Sequence, residues 1–298
     1  MNLFDEIVNQ ALSQNAELTS LRVVVEKELL HHDILLAMSD AGLLQNLCFI
    51  GGTCLRACYG SNRLSEDLDF TGGTNFKRET LTELKTVLVD KLQKKYGLSV
   101  QVSEPGKETG NVDTWKLQIQ TRPERKDLPA QRINIDICAI PSYQPQPRIL
   151  LNPYGVDMGT QGLILMAQSL EEIYADKILA FALRRGRIKS RDLWDLLWLK
   201  QQAIKPAFEL LANKLKDHQC SQIDFLNLAH ERAQSLINDV QVKKDFRNEM
   251  TRFLPTQIVE KTISNEQFWA YLCVEIPSLI TQAEQNLTNH MPSKPFLM

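Results

Sequence analysis

Apolar residues recur at helical spacing from about residue 15 to 44, at Leu18, Leu21, Val25, Leu29, Ile34, Leu35 and Met38, which predicts a helix stopping near Gly42. Residues 47–50 (LCFI) form a short apolar run that breaks at Gly51-Gly52, the pattern of a buried strand entering a tight turn. A short helix is expected over 53–59, closed by Gly60. In residues 65–70 (SEDLDF), Leu68 and Phe70 alternate with acids, which predicts a strand. Residues 78–95 place Leu81, Leu84, Val87, Leu88 and Leu92 on one helical face, with Gly97 as C-cap. The alternating segments 98–103 and 114–120 predict a hairpin around a loop at 105–111. RINIDICAI (132–140) puts Ile133, Ile135 and Ile137 on one face and Asn134, Asp136 and Cys138 on the other.

Four prolines (Pro141, Pro145, Pro147, Pro153) mark the best linker candidate, though the stretch to 168 has room for inserted strands. Beyond it the pattern is helical almost throughout. Ser169-x-x-Glu172 is a capping box opening a helix to about Arg184, and Ser190 is the expected cap of the next. Further helices are expected near 205–217, 223–238, 241–253 and 264–285, with a frayed polar tail after Asn286. The expected architecture is α+β: a small mixed sheet with flanking helices over residues 1–150, then a helical domain over 151–298.

The 298 residues are 43% apolar and 23% charged, so the chain is globular rather than disordered. Its formal charge of −2 excludes a strongly basic nucleic-acid coat but leaves room for a local basic groove. No apolar run is long enough for a membrane helix, and the N-terminus has neither the basic nor the apolar region of a signal peptide. The six cysteines form no CxxC pair and sit mostly in apolar runs. They read as reduced thiols of a cytoplasmic protein, and Cys54 and Cys58 as core. The five histidines show no zinc spacing.

The segment from Phe49 to Phe70 carries the chemistry. Gly51 and Gly52 allow close backbone approach, and the amides near Thr53 at the following helix start can hold a phosphate oxygen. Asp67 and Asp69, two apart on a strand, share a face. Carboxylates beside a phosphate nest suit Mg²⁺, which completes its octahedron with phosphate oxygens and water. If the 132–140 strand neighbours this one, Asp136 makes a cluster of three carboxylates, enough for two metals. The other reading of Asp136 is an edge-strand acid facing solvent.

The string Gly51-Gly52-Thr53-Cys54-Leu55-Arg56, then Arg63-Leu64-Ser65-Glu66-Asp67-Leu68-Asp69-Phe70, resembles the DNA polymerase β-type nucleotidyltransferases. It resembles more closely the AbiEii/AbiGii-type toxins of type IV toxin–antitoxin pairs. So do the segments 171–180 (EEIYADKILA) and 187–196 (RIKSRDLWDL). The likeness covers about residues 45–200. It implies that Gly52 and Thr53 line the nucleotide phosphates, with Arg56 and Ser65 counted in the same group. It further implies that Asp67 and Asp69 bind Mg²⁺, that Lys177 contacts the triphosphate, and that Asp192 completes the site from the helical domain. The implied activity moves an NMP from an NTP to an acceptor hydroxyl, in some members the 3′ end of tRNA, with a cognate antitoxin as partner and an active site in the cleft between the domains.

Each residue also has a plainer reading. Lys177 fits a solvated helix position, and Asp192 and Asp195 fit first-turn acids. Arg56 and Arg63 fit surface cations or a salt bridge holding the aspartate strand. The basic run Arg184, Arg185, Arg187, Lys189, Arg191 fits either solvated helix-end charge or a patch for nucleotide or RNA phosphate. Trp194 and Trp198, four apart, read as core. Two other functions stay open: a nucleotidyltransferase acting on a small molecule or protein, and a non-catalytic nucleotide-binding module.

Overall fold

A computed structural model describes residues 2–106, 111–125 and 127–289. Most of the expected 105–111 loop, His290 and the tail from 290 onward lie outside them. The chain forms two compact units, Met1–Gln168 with Arg252–Ile258, and Ser169–Thr251 with Val259–Met298.

In chain order, the first unit contains α1 (Leu3–Gln14), α2 (Arg22–Asp40), β1 (Cys48–Ile50), α3 (Gly51–Tyr59), β2 (Leu68–Thr71) and α4 (Leu84–Tyr96). Five strands follow: β3 (Ser99–Ser103), β4 (Val112–Gln120), β5 (Gln131–Cys138), β6 (Pro145–Ile149) and β7 (Ile164–Gln168). They form one seven-stranded sheet in the order β3-β4-β5-β2-β1-β7-β6. The β2–β5 and β1–β7 pairs are parallel and the others antiparallel. The sheet is therefore mixed and flanked by helices, as the pattern predicts.

One face of the sheet is core. Trp115, Leu117 and Ile119 of β4 and Ile133, Ile135 and Ile137 of β5 are all buried, with Leu68 and Phe70 of β2. Their period of two puts every intervening residue on the opposite face. Removing these apolar side chains from water is the main force holding sheet to helices, at about 1.5–3 kcal/mol for each large residue.

Two expectations change. The Pro-rich stretch is no linker: Pro145 and Pro147 lie within β6, an edge strand, where a missing N–H leaves no ladder bond broken. β7 then returns beside β1, and the units divide after Gln168 rather than at 150. In addition, α1 precedes the first expected helix, capped by the Asn2 side chain accepting from the Asp5 amide.

The second unit is helical: α5 (Leu170–Leu183), α6 (Ser190–Gln201), α7 (Leu211–Asp217), α8 (Gln222–Asn238) and α9 (Val240–Met250), then α10 (Thr256–Lys261), which begins in the first unit, and α11 (Glu266–Asn289). Ser169 caps α5 as expected, its hydroxyl accepting from the Glu172 amide at 3.1 Å. Ser190 does not cap α6, because Lys189 occupies the cap position and Ser190 lies inside the helix. Trp194 and Trp198 are buried, as a core reading requires.

Candidate active site

β1 ends at Ile50, and α3 begins directly at Gly51. Gly51 has φ +76°, a left-handed backbone that only glycine adopts freely. A Cβ there would lie 2.8 Å from Asp69 Oδ2, so the carboxylate rests against the bare backbone of the turn. Gly52 and Thr53 supply the next amides of α3, among the first four of a helix, which lack intrahelical partners.

On β2 and β5, Asp69 stands in register with Asp136. The Asp67 carboxylate accepts from the Asn134 amide at 2.9 Å, which ties it to the same part of β5. Asp69 of β2 and Asp136 of β5 thus share the face opposite the isoleucines, and Asp67, which the sequence placed on the strand, lies in the segment just before β2 and is drawn to the same part of β5. Asp136 Oδ1 is buried and has no hydrogen-bond partner. Burial raises the affinity of this carboxyl for a proton, and the Asp67 charge adds to it; Thr114 and Lys116 work the other way.

A hard divalent cation would relieve that penalty, and an all-carboxylate donor set suits Mg²⁺. As the side chains stand, no group of three or more His, Cys, Asp or Glu among the described residues converges closely enough to hold a metal. The donor chemistry and the orphaned oxygen fit the ion, and closure around it needs side-chain rotation.

Other motif residues turn inward. The Thr53 hydroxyl, buried, lies 2.6 Å from Ser65 Oγ and donates to the Asp67 carbonyl. The Ser65 amide donates to Glu28 Oε1 at 2.8 Å. Arg56 Nε donates to Glu28 Oε2 at 3.1 Å, and its Nη1 to the Ser61 carbonyl. Burial opposes the Arg56 charge, but Glu28 and Tyr154 outweigh it and hold the guanidinium protonated. Buried Arg63 donates to the Leu64 carbonyl. Thr53, Arg56 and Ser65 therefore brace the aspartate loop through their side chains. Any phosphate contact at Thr53 would fall to its amide.

Helix α2 contributes residues that sequence reasoning missed. Lys27 pairs with the Glu66 carboxylate at 2.7 Å, Glu28 takes the Ser65 amide, and His31 Nε2 lies 3.0 Å from the Glu66 carbonyl. They grip the two residues immediately before Asp67. No sequence signal marked them: Glu26, Glu28, His31, His32 and Asp33 are as buried as the apolar positions of α2, which helical periodicity does not reveal.

In the second unit, Lys177 is buried between Asp192 and Asp195, 2.7 Å from each. Arg184 Nε stands 2.6 Å from Asp192 Oδ2. Burial alone would raise the Asp192 carboxyl; Lys177 and Arg184 more than offset it and keep the group ionised. Asp195 thereby joins Lys177 and Asp192 in one cluster. The basic run is partly spent on acids, with Arg191 3.3 Å from Glu249 and Arg187 at 3.8–3.9 Å from Asp245 and Glu249.

Acids paired across parallel strands, beside a glycine turn on a mixed sheet with flanking helices, are the arrangement expected of a nucleotidyltransferase. The comparisons carry this to the family. The family model for the nucleotidyl transferase AbiEii toxin of type IV toxin–antitoxin systems matches residues 33–272, and the chain belongs to that family. No curated protein sequence matches. Among solved structures, the chain is similar to MenT4, a nucleotidyltransferase toxin from Mycobacterium tuberculosis H37Rv. The TM-score is 0.58 and the identity 15%, over 95% of this chain and 92% of that one. It is also similar to JHP933 from Helicobacter pylori, with TM-score 0.49 and 19% identity over 90% of this chain and 98% of that one. The first of these likenesses shows a shared fold.

Proposed function

We propose that this toxin moves an NMP from an NTP, bound as its Mg²⁺ complex, to a hydroxyl of RNA, the 3′ end of tRNA being the acceptor its family suggests. The observation that carries the reading is the register of Asp69 with Asp136, beside the turn where Gly51 admits the Asp69 carboxylate. Asp67, Asp69 and Asp136 would hold the metal. When bound, it neutralises phosphate oxygens and acidifies a hydroxyl.

The amides of Gly52 and Thr53 take phosphate oxygens at the helix start. Lys177, oriented by Asp192 and Asp195, takes the triphosphate charge. The acceptor hydroxyl attacks the α-phosphorus in line, the bond to the bridging oxygen breaks, and pyrophosphate leaves. Asp136, the carboxylate of the three with a buried oxygen left without a hydrogen bond, takes the hydroxyl proton. A cytoplasmic place of action agrees with six free cysteines, and among the described residues no helix is long and apolar enough to cross a membrane. An antitoxin is the partner a type IV family implies.

The test is label transfer. Each α-³²P NTP is incubated with Mg²⁺, the protein and total tRNA or cell extract, beside Asp69→Ala. Label on RNA with wild type only is the expected result. Label on protein or on a small molecule would keep the enzyme and remove the RNA acceptor. Absence of transfer despite NTP binding would leave a nucleotide-binding module.

A further inference from the structure

The sheet face that carries Asp136 continues outward over β4 and β5. Thr114, Lys116 and Gln118 of β4 stand opposite Asp136, Asn134 and Arg132 of β5. Lys116, Gln118 and Arg132 are exposed. Beyond β4, Ser99, Gln101 and Ser103 of β3 continue the same face. Among the described residues of β3, β4 and β5 on this side, Asp136 is the sole carboxylate; apart from the Cys138 thiol, every other polar side chain is a cation, an amide or a hydroxyl.

The face runs into a cavity of about 450 Å³ at the strand ends, which Gln120 and Arg132 share with Arg252 and with Leu128 and Pro129. The cavity's two carboxylates are already matched, Glu66 by Lys27 at 2.7 Å and Glu26 by Arg122. Arg132 and Arg252 therefore bring uncompensated positive charge. Along β5, Arg132 to Asp136 is four residues, or about 13 Å. A mixed cationic and amide surface with an apolar-sided pocket at its end complements a single-stranded polyanion with unstacked bases.

We propose that this face of β4 and β5, with the cavity at its end, is the track on which single-stranded acceptor RNA lies, Lys116, Arg132 and Arg252 holding its phosphates and the cavity taking a base. The inference rests on the RNA reading above and gives it a location away from the basic run at 184–191.

The test uses the full chain with Lys116→Ala, Arg132→Ala and Arg252→Ala combined, its melting checked against wild type. A Gln set at the same positions serves if the Ala set melts early. A fluorescein-labelled 12-nucleotide single-stranded RNA is titrated from 50 to 200 mM salt, and KM values for NTP and RNA are read from label transfer. RNA affinity should fall tenfold or more at 50 mM, and the salt slope should drop by about 2 for three lost phosphate contacts. KM for RNA should rise with that for NTP unchanged. Wild type that binds and labels RNA, with a variant indistinguishable from it, overturns the track and leaves the RNA reading intact. Wild type that labels only protein or small molecules overturns both.

Discussion

Gly51 is where one methyl group would do most damage. It combines a left-handed backbone with a carboxylate 2.8 Å from where a Cβ would lie. Gly51→Ala is expected to cost about 1–3 kcal/mol in strain and displacement. It should also lower kcat at least tenfold, because Asp69 must move; urea midpoints and transfer rates check the two effects separately. The histidines act through protons. Burial lowers both His31 and His32 from 6.5 to about 4, with Lys27 adding to it at His31 and with His31 and Lys95 adding to it at His32. Between those values the unfolded chain binds more protons than the folded one. Their stabilisation is therefore complete above pH 6.5 and is lost as pH falls toward 4, by at most about 3 kcal/mol each. Urea midpoints at pH 7.5 and 5 should differ accordingly, and His32→Asn should flatten part of the slope.

At the scale of elements, α2 is a brace for the aspartate loop. Glu28 meets Arg56, the Tyr154 hydroxyl and the Ser65 amide at once. Glu28→Ala would leave the Arg56 charge buried without its partner, a loss of about 3–5 kcal/mol in denaturant unfolding. Glu28→Gln, which keeps an acceptor for Ser65, should lose less and retain more transfer activity.

The strands bearing Asp69 and Asp136 were legible because alternation with Leu68, Phe70 and the three isoleucines fixes their faces. The α2 brace was not, because its partners lie far off in sequence: Glu26 meets Arg122 and Gln131, and Glu28 meets Tyr154. Helical periodicity carries no sign of which buried acid will find a base. β6 and β7 were not legible either, because Pro145 and Pro147 read as breakers in one and Ile164 to Ala167 are apolar without alternation in the other.

At the scale of the whole molecule, the described residues of the second unit include two buried lysines, each between two acids. Lys214 lies 2.7 Å from both Glu172 and Asp176, and Lys177 has the same relation to Asp192 and Asp195. Removing Lys177 takes a cation from buried Asp195, and removing Lys214 takes one from buried Glu172, so Lys214→Ala and Lys177→Ala should each lose about 3–5 kcal/mol of stability. The kinetics should part them: folded Lys214→Ala stays within about threefold of wild type, whereas Lys177→Ala loses a hundredfold or more in kcat. Equal kinetics from both would reduce Lys177 to a structural residue.

The division of the chain also has a temporal side. The first unit recovers Arg252–Ile258 only after the 83 residues of the intervening segment 169–251. Phe253 and Leu254 of that returning piece are buried, and the Leu64 amide, three residues before Asp67, donates to the Phe253 carbonyl at 2.9 Å. A ribosome adding roughly 5–20 residues per second needs about 4–17 s to bridge the gap. The loop that presents the aspartates is thus anchored from a part of the chain made late. A nascent toxin therefore spends seconds with the strands of its first unit already synthesised and one of their supports still missing. That interval is a grace period in which a partner already present in the cell can meet the toxin before it is complete.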